Sequence, residues 1–586
     1  LSVRVFSGNG SRIAALGKED RGYFSGTVDG AREGDRYLYV LDDGTEKPDP
    51  ASMFQPDGVH GSSQIVDQGK FSWSDGGWRG RALDEYIIYE LHVGTFTGEG
   101  TFEAAITMLD NLLDLGITAV ELMPVAQFPG ERNWGYDVVY PFAPQNSYGG
   151  PVGLKKLVDA CHCRGLAVIL DVVYNHLGPE GSYLHGFGPY FTDRYRTPWG
   201  DAVNFDGPYS DEVRRFFIEN ALYWVNEYHV DALRLDAIHG IFDFSARHLL
   251  EELATAVHRE AKKLGRKIYV IAESDLNDVR LINPLKKGGY GLDALWNDDF
   301  HHTVHTLLIE EKYGYYMDFG GTGQFAKSFR ERFVYSGEYS RYRRRRHGNS
   351  AKGRKAEQFV VFAQNHDQVG NRMFGERLAA LVSFESLKLA AAVVLLSPYV
   401  PLLFMGEEYG EDAPFLYFVS HSDPGLIEAV REGRKEEFKS FVSRGEPPDP
   451  SSVETFMRSK PDVRKRLSGN HAVLLRFYKK LIHMRKSIPA LAVPEKDDFQ
   501  VSAGEEEKLV LVERREGDSR VVCLFNFNER EVKARFPCTG EMWGKLLDSS
   551  DSAWSGPGAV LPGKIRGGAD AVMRGRSCAV YLAETG

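Results

Sequence analysis

The sequence predicts an α/β chain: a (β/α)8 barrel with an N-terminal β-sandwich and a C-terminal β domain. Three observations predict it. Apolar runs of strand length recur eight times between residues 85 and 408, each followed by a segment of helix length. The runs are nearly continuous in apolar residues, as in strands covered by helices. Residues 1–83 and 494–586 instead hold short β-segments separated by turn chemistry. Eight units in roughly 400 residues suit an enlarged barrel better than an open doubly wound sheet. No G-x-G-x-x-G opens a helix after the first run, so the dinucleotide signature is missing.

Taken in order, "LSVRVF", "GYFSGTV" and "RYLYVL" are the strands of the first β region, and the Trp- and Gly-rich joint "FSWSDGGWRG" closes it. The barrel, 84–493, follows. Its runs are "EYIIYELHVGTF" (85–96), "GITAVELMPV" (116–125), "GLAVILDVVYNH" (165–176) and "HVDALRLDA" (229–237). Then come "KIYVIAES" (267–274), "GLDALWND" (291–298), "FVVFAQNHD" (359–367) and "YVPLLFMGEE" (399–408). Between them lie amphipathic segments such as "TFEAAITMLDNLLDLG" and "ARHLLEELATAVHREAKKLG". A Gly/Pro/aromatic excursion at 177–206 is long for a loop and reads as functional or as a small subdomain. A charged, Pro-bearing insertion covers 418–468, and "AVLLRFYKKLIHMRKSI" (472–488) reads as the closing helix.

The 586 residues are 42% hydrophobic and 26% charged, ordinary for a globular chain. No apolar run approaches the roughly 18 residues of a membrane helix. The N-terminus has neither a signal-peptide pattern nor an initiator Met, consistent with a trimmed start. A net charge of −11 argues against a nucleic-acid partner, and the basic run "RYRRRRHGNSAKGRK" (341–355) reads as a solvated loop or a cleft wall. Five scattered cysteines favour reduced thiols and a cytoplasmic location. A monomer is the expected state.

The polar residues fall where barrel chemistry sits, at the C-terminal ends of the strands. The third run ends in Asp171, Asn175 and His176, the fourth in Arg234 and Asp236, the fifth in Glu273, the seventh in Asn365, His366 and Asp367. Asp236, Glu273 and Asp367 can therefore converge. Glycosidic-bond hydrolysis needs one protonated and one ionised carboxyl. Arg234 lies two residues from Asp236 on the same strand face and should hold it ionised, which makes Asp236 the better nucleophile. Glu273, with no adjacent cation in sequence, is the better acid. Zinc barrel hydrolases show a His-x-His on the first strand; here His92 stands alone and reads as a hydrogen-bonded wall residue.

"DVVYNH", "LRLDAIH", "AES" and "QNHD", in this order, resemble the four signature regions of the α-amylase superfamily of glycoside hydrolases. The resemblance implies that Asp236 is the nucleophile, Glu273 the general acid/base and Asp367 the carboxylate gripping the sugar at subsite −1. His176 and His366 would bond that sugar, Arg234 would orient Asp236, and Tyr136 in "NWGYD" would be its platform, with Trp134 also on the substrate side. Retention through a covalent glycosyl-enzyme is implied. The stretches "YYMDFGGTGQ", "NHDQVGNRMFGERL" and "GEEYGEDAPFLYFVSHSDPGLIEAVREGRKEEF" are similar to the maltooligosyltrehalose trehalohydrolases within that superfamily. The implied substrate is maltooligosyltrehalose or a related α-1,4-glucan, with a glucan branching enzyme as the rival. Asp318, Gln368, Asn371 and Arg372 match stretches that look substrate-facing. His239, three residues after the nucleophile, is either a residue of subsites +1/+2 or a helix N-terminal residue with a local bond. Asn175 is the residue with which many α-amylases bind calcium, but the rest of a cage is missing, and no metal or cofactor is expected.

Overall fold

The computed structural model describes residues 1–584 apart from Asn9, 440–444, 495–497 and 538–540. Part of the 418–468 insertion and the fifth cysteine, Cys538, thus lie outside the described residues. The other four cysteines are free thiols.

Eight parallel strands close into a barrel. They are β1 (Ile88–Leu91), β2 (Ala119–Leu122), β3 (Ala167–Val172), β4 (Ala232–Leu235), β5 (Tyr269–Ala272), β6 (Ala294–Trp296), β7 (Phe359–Val361) and β8 (Val400–Phe404). Each pairs with its neighbours in chain order, and β8 closes on β1. Each is shorter than its apolar run, because the polar residues at its end leave the ladder and turn into the loops. Inside, period-2 alternation stacks Ile88, Ala119, Ile169, Ala232, Ile271, Ala294, Val360 and Leu402 into an apolar core. The outward positions, such as Val168, Leu233 and Val270, pack on the helices in one large apolar cluster.

The helix layer includes α1 (Gly150–Cys163), α2 (Ser210–Glu227), α3 (Leu249–Leu264), α4 (Asp298–Ile309), α5 (Phe384–Leu395) and α6 (Gly469–Ser487). The local signals are visible in α3. His248 caps its first turn, Glu251 and Glu252 lie at the positive end, and Gly265 ends it in the left-handed region at φ 64°. The single helix expected at 101–116 is instead two, Phe102–Ile106 and Leu109–Leu115. Thr107 sits at the break, its hydroxyl bonding back to the Ala104 carbonyl at 2.7 Å.

Before the barrel lie a five-stranded antiparallel sheet and a two-stranded hairpin, so this β-rich region has one full layer. The joint after it is pinned by aromatic rings: Trp73 stacks on His229 and Trp78 on His162. After the barrel comes a six-stranded sheet with a separate two-stranded one. The 177–206 excursion contains a hairpin, Phe191–Thr197 with Gly200–Val203, standing at the barrel mouth. Among the described residues no helix is long and apolar enough to cross a membrane.

Candidate active site

Parallel register sets Arg234 of β4 beside Asp171 of β3, both side chains inward. Arg234 Nη1 donates to both Asp171 oxygens at 2.8 and 2.7 Å and to Asp236 Oδ1 at 2.9 Å. Its Nη2 lies 3.3 Å from Glu273 Oε2. The guanidinium is fully buried and rests on the Trp296 ring, 4.3 Å from the centroid. One cation thus serves three carboxyls at the ends of β3, β4 and β5.

Two expectations need correction. Glu273 has no cation near it in sequence, but it has one in space. β5 pairs with β4, and the Glu273 amide donates to the Leu235 carbonyl, which brings the side chain under Arg234. Glu273 also accepts the Ala237 amide, aimed at it by a left-handed backbone at φ 37°. A non-glycine residue there stores of the order of 1–3 kcal/mol. The second correction concerns Asp236. Burial drives its pKa up, and Arg234 only opposes that rise. The same holds for Asp171 and Asp367, where burial raises the pKa and the charges of Arg234 and His366 oppose it.

Asn365 caps the short helix His366–Gly370, accepting the Gln368 amide, and so presents Asp367 at its first turn. The Asp367 side chain is 38% exposed, the most open of the three carboxylates. Asn371 Nδ2 donates to its Oδ1 at 3.2 Å. His366 is buried, held by Glu90 through both its ring and its main-chain amide. The Tyr136 hydroxyl lies 2.7 Å from both His366 Nε2 and Asp171 Oδ2, and its ring stacks on His366.

The other candidates divide. His176 sits at the mouth with both ring nitrogens engaged, by the Tyr136 carbonyl at 3.1 Å and by Asn175 at 2.9 Å. Burial pulls its pKa down to about 4. His239 is exposed on the three-residue turn after Asp236. Gln368 is half-buried, its oxygen 3.4 Å from the Tyr315 hydroxyl. Trp134, Asp318 and Arg372 spend their polar groups on other parts of the fold. Trp134 is wedged against Phe415 and Gly370, and its indole N–H bonds the Leu416 carbonyl. Asp318 spends its carboxylate on Ser340 and the Arg341 amide, tying down the basic run. Arg372 pairs bidentately with Glu311 at 2.9 and 3.0 Å. His92 is the wall residue expected, bonded to Thr95 and the Asn133 carbonyl. Among the described residues no group of three or more His, Cys, Asp or Glu side chains is arranged to hold a metal.

The geometry has relatives. The family model described as the catalytic domain of alpha amylase matches residues 69–196. A malto-oligosyltrehalose trehalohydrolase from Saccharolobus solfataricus is 53% identical over 474 residues, 81% of this chain and 81% of its own. The chain belongs to the malto-oligosyltrehalose trehalohydrolase family. A crystal structure of an alpha amylase candidate from Salmonella typhimurium superposes with a TM-score of 0.89 at 38% identity, covering 100% of this chain and 96% of that one. A 1,4-alpha-glucan branching enzyme from Pseudoalteromonas atlantica is 29% identical over 56% of this chain and 53% of its own.

In this trehalohydrolase-family chain the sequence reading missed three parts of the site. Trp296 is the floor under Arg234, and its signal was only an apolar strand position. Glu90 points into the barrel two residues after Ile88, and that period-2 placement of a charge in a buried strand was the available signal. Trp199, 46% exposed, lies parallel to the His176 ring with centroids 4.4 Å apart. An aromatic surface left open at the mouth of a sugar site is suited to stacking.

Proposed function

We propose that Asp236 attacks the anomeric carbon, Glu273 protonates the departing oxygen, and Asp367 grips the ring, in a retaining glycoside hydrolase. The enzyme cleaves the α-1,4 bond next to the terminal trehalose unit of maltooligosyltrehalose and releases trehalose. The observation that supports these assignments best is the shared guanidinium. Arg234 contacts Asp236 through Nη1 and Glu273 through Nη2, which fits the close carboxyl spacing of a retaining mechanism.

The steps balance simply. The Asp236 carboxylate forms a bond to C1 as the C1–O4 bond breaks, and the trehalose oxygen takes the Glu273 proton. Glu273, now ionised, draws a proton from water, whose oxygen displaces Asp236. The Ala237 amide donates to the Glu273 carboxyl and Arg234 lies beside it, which fixes its position for both transfers. Asp367, carrying negative charge beside the ring, favours the oxocarbenium-like transition state. Glucan is the substrate class, and the cytoplasm the proposed location.

Incubation with maltooligosyltrehalose and assay of free trehalose tests this reading. Appearance of trehalose in proportion to enzyme supports it. No trehalose, together with a shift of amylose iodine staining towards branched glucan, gives the site to a branching transferase instead.

A further inference from the structure

The hydrogen bonds around His366 determine where its protons are. Glu90 of β1 is buried, and its two oxygens span His366: one meets Nδ1, and the other accepts the main-chain amide at 3.0 Å. On the other side, His366 Nε2 faces the Tyr136 hydroxyl, which also faces Asp171. A phenol has one proton to donate. Both Asp171 oxygens accept from Arg234, a pairing that opposes the rise burial imposes on Asp171 and favours its acceptor form, so Asp171 takes the tyrosine proton. His366 Nε2 must then carry hydrogen and donate to Tyr136. One more proton lies between Nδ1 and Glu90. Imidazole is the stronger base by about 2 pKa units, and the other Glu90 oxygen already acts as an acceptor of the main-chain amide. The proton belongs on the nitrogen.

We propose that Glu90 is a positioning residue that locks His366 as an imidazolium, the second cation of the active site beside Arg234. The proposal rests on the reading of Asp236, Glu273 and Asp367 as the catalytic carboxylates. His366 is faced by Glu90 of β1 and His92 just after it, Glu121 of β2, Asp171 of β3, Arg234 of β4 and Asp236 just after it, and the Trp296 ring of β6. Trp134 and Tyr136 cover it from the loop after β2, and Asp367 follows it in its own segment. Its Nε2 is 3.5 Å from Asp367 Oδ1. The imidazolium charge opposes the rise that burial imposes on Asp171, Asp236 and Asp367 alike. It therefore keeps the nucleophile and the gripping carboxylate ionised in a site where Arg234 alone is shared three ways. Burial works against the charge of His366, but Glu90 and Asp367 outweigh it and raise its pKa to about 9.

Glu121 supplies an internal control. It is the register partner of Glu90 on the next strand and is equally buried. Neither of its carboxyl oxygens meets a donor among the described residues. Burial, and then Glu90, push its pKa far up, against the charged form, whereas Glu90 has the bonds to His366 that Glu121 lacks.

The test compares wild type, Glu90→Gln, Glu90→Asp and Glu121→Gln. Ring-nitrogen NMR shifts of His366, assigned by their loss in His366→Gln, are followed from about pH 5 to about pH 9, with the pH profile of trehalose release alongside. In wild type both nitrogens stay protonated to about pH 8. In Glu90→Gln the second proton leaves at least about one pH unit lower, and the acid limb of the profile moves up. There kcat falls about tenfold or more at neutral pH, with KM within about threefold. Glu90→Asp keeps the charge and restores the imidazolium, and Glu121→Gln leaves both readouts at wild type. A neutral His366 in wild type at pH 7, or a Glu121→Gln variant that shifts the profile as far as Glu90→Gln, overturns the proposal. The NMR readout needs no turnover. It therefore decides the role of Glu90 even if trehalose release fails and the functional reading falls with it.

Discussion

Buried arginines serve different ends in two regions of this molecule. At the barrel mouth, Arg234 is ringed by Asp171, Asp236 and Glu273. On the far side of α5, Arg485 and Arg514 are ringed by main-chain carbonyls. Arg485 donates to Leu395 and Ser397 at 2.8 and 2.7 Å, and Arg514 to Leu396, Ser397 and Leu491 at 2.9, 3.1 and 3.2 Å. These are the carbonyls that a helix end leaves unpartnered, at the negative end of its dipole. Burial lowers the pKa of Arg485 to about 9 and of Arg514 to about 10, and the opposing pull of Cys523, Tyr399 and Glu516 on Arg514 does not reverse it. At Arg234 burial pulls the same way, but the surrounding carboxylates more than reverse it. A guanidinium among carbonyls is a cap. Among ionisable oxygens at a strand end, it sets the charge of reagents.

The comparison can be broken most sharply at Asp236. Asp236→Ala removes the proposed nucleophile, and kcat for trehalose release should fall by about 10⁴-fold or more while substrate affinity changes little. The melting temperature should stay level or rise, because burial disfavours the Asp236 charge in the free enzyme. A variant that retains wild-type turnover would falsify the assignment of Asp236.

Arg234→Lys keeps the charge and discards the fork. A lysine ammonium cannot reach Asp171, Asp236 and Glu273 together. The expected loss is about 10²- to 10³-fold in kcat, with a modest loss of stability. The matching change at the cap, Arg514→Met, should do the reverse. Trehalose release at 25 °C should hold, and unfolding should become easier by about 3 kcal/mol, since carbonyls are left buried without donors. Denaturant titration beside initial rates separates the two regions. If Arg514→Met cuts kcat as deeply as Arg234→Lys, the division between cap and reagent control is wrong.

How much of this could be read from the sequence depended on where each partner lies. The eight strands were legible because each is a local apolar run, and the carboxylates because barrel strands end in a known place. His92 was legible because a lone histidine in a buried strand needs only a nearby acceptor. The Glu90–His366 contact joins β1 to the segment after β7, 276 residues apart, and no local pattern records it. Asp318 and Arg372 sit in stretches that resemble substrate-facing ones. Their partners, Ser340 and Glu311, come back on segments whose paths only the folded chain fixes. The cation near Glu273 was hidden for the same reason: it belongs to the neighbouring strand.

The smallest expected effect lies at the foot of the barrel, where a third charged cluster is neither cap nor reagent. His162 bridges Asp75 at 2.8 Å and Asp231 at 2.9 Å beneath the stacked Trp78 ring. Burial opposes the Asp75 charge, but bonds from His162 and His229 hold its pKa down to about 2. Burial opposes the His162 charge too, and Asp231 and Asp75 still raise its pKa above the ordinary value. A depressed carboxylate stabilises the fold above its unfolded pKa of about 4, and that contribution is lost as pH falls towards 2. A raised histidine stabilises it below its unfolded pKa of about 6.5, and that contribution is lost as pH rises through the folded value. Both are fully present only between about pH 4 and about pH 6.5. Asp75→Asn should therefore lower stability by about 1 kcal/mol at pH 5.5, a figure discounted for the solvent that reaches Asp75. The gap to wild type should narrow towards pH 2.5 and again above pH 8. Thermal melts across that range check the shape. A gap that stays constant with pH would mean that Asp75 acts through hydrogen-bond geometry alone, and that the charge on His162 does nothing for the fold.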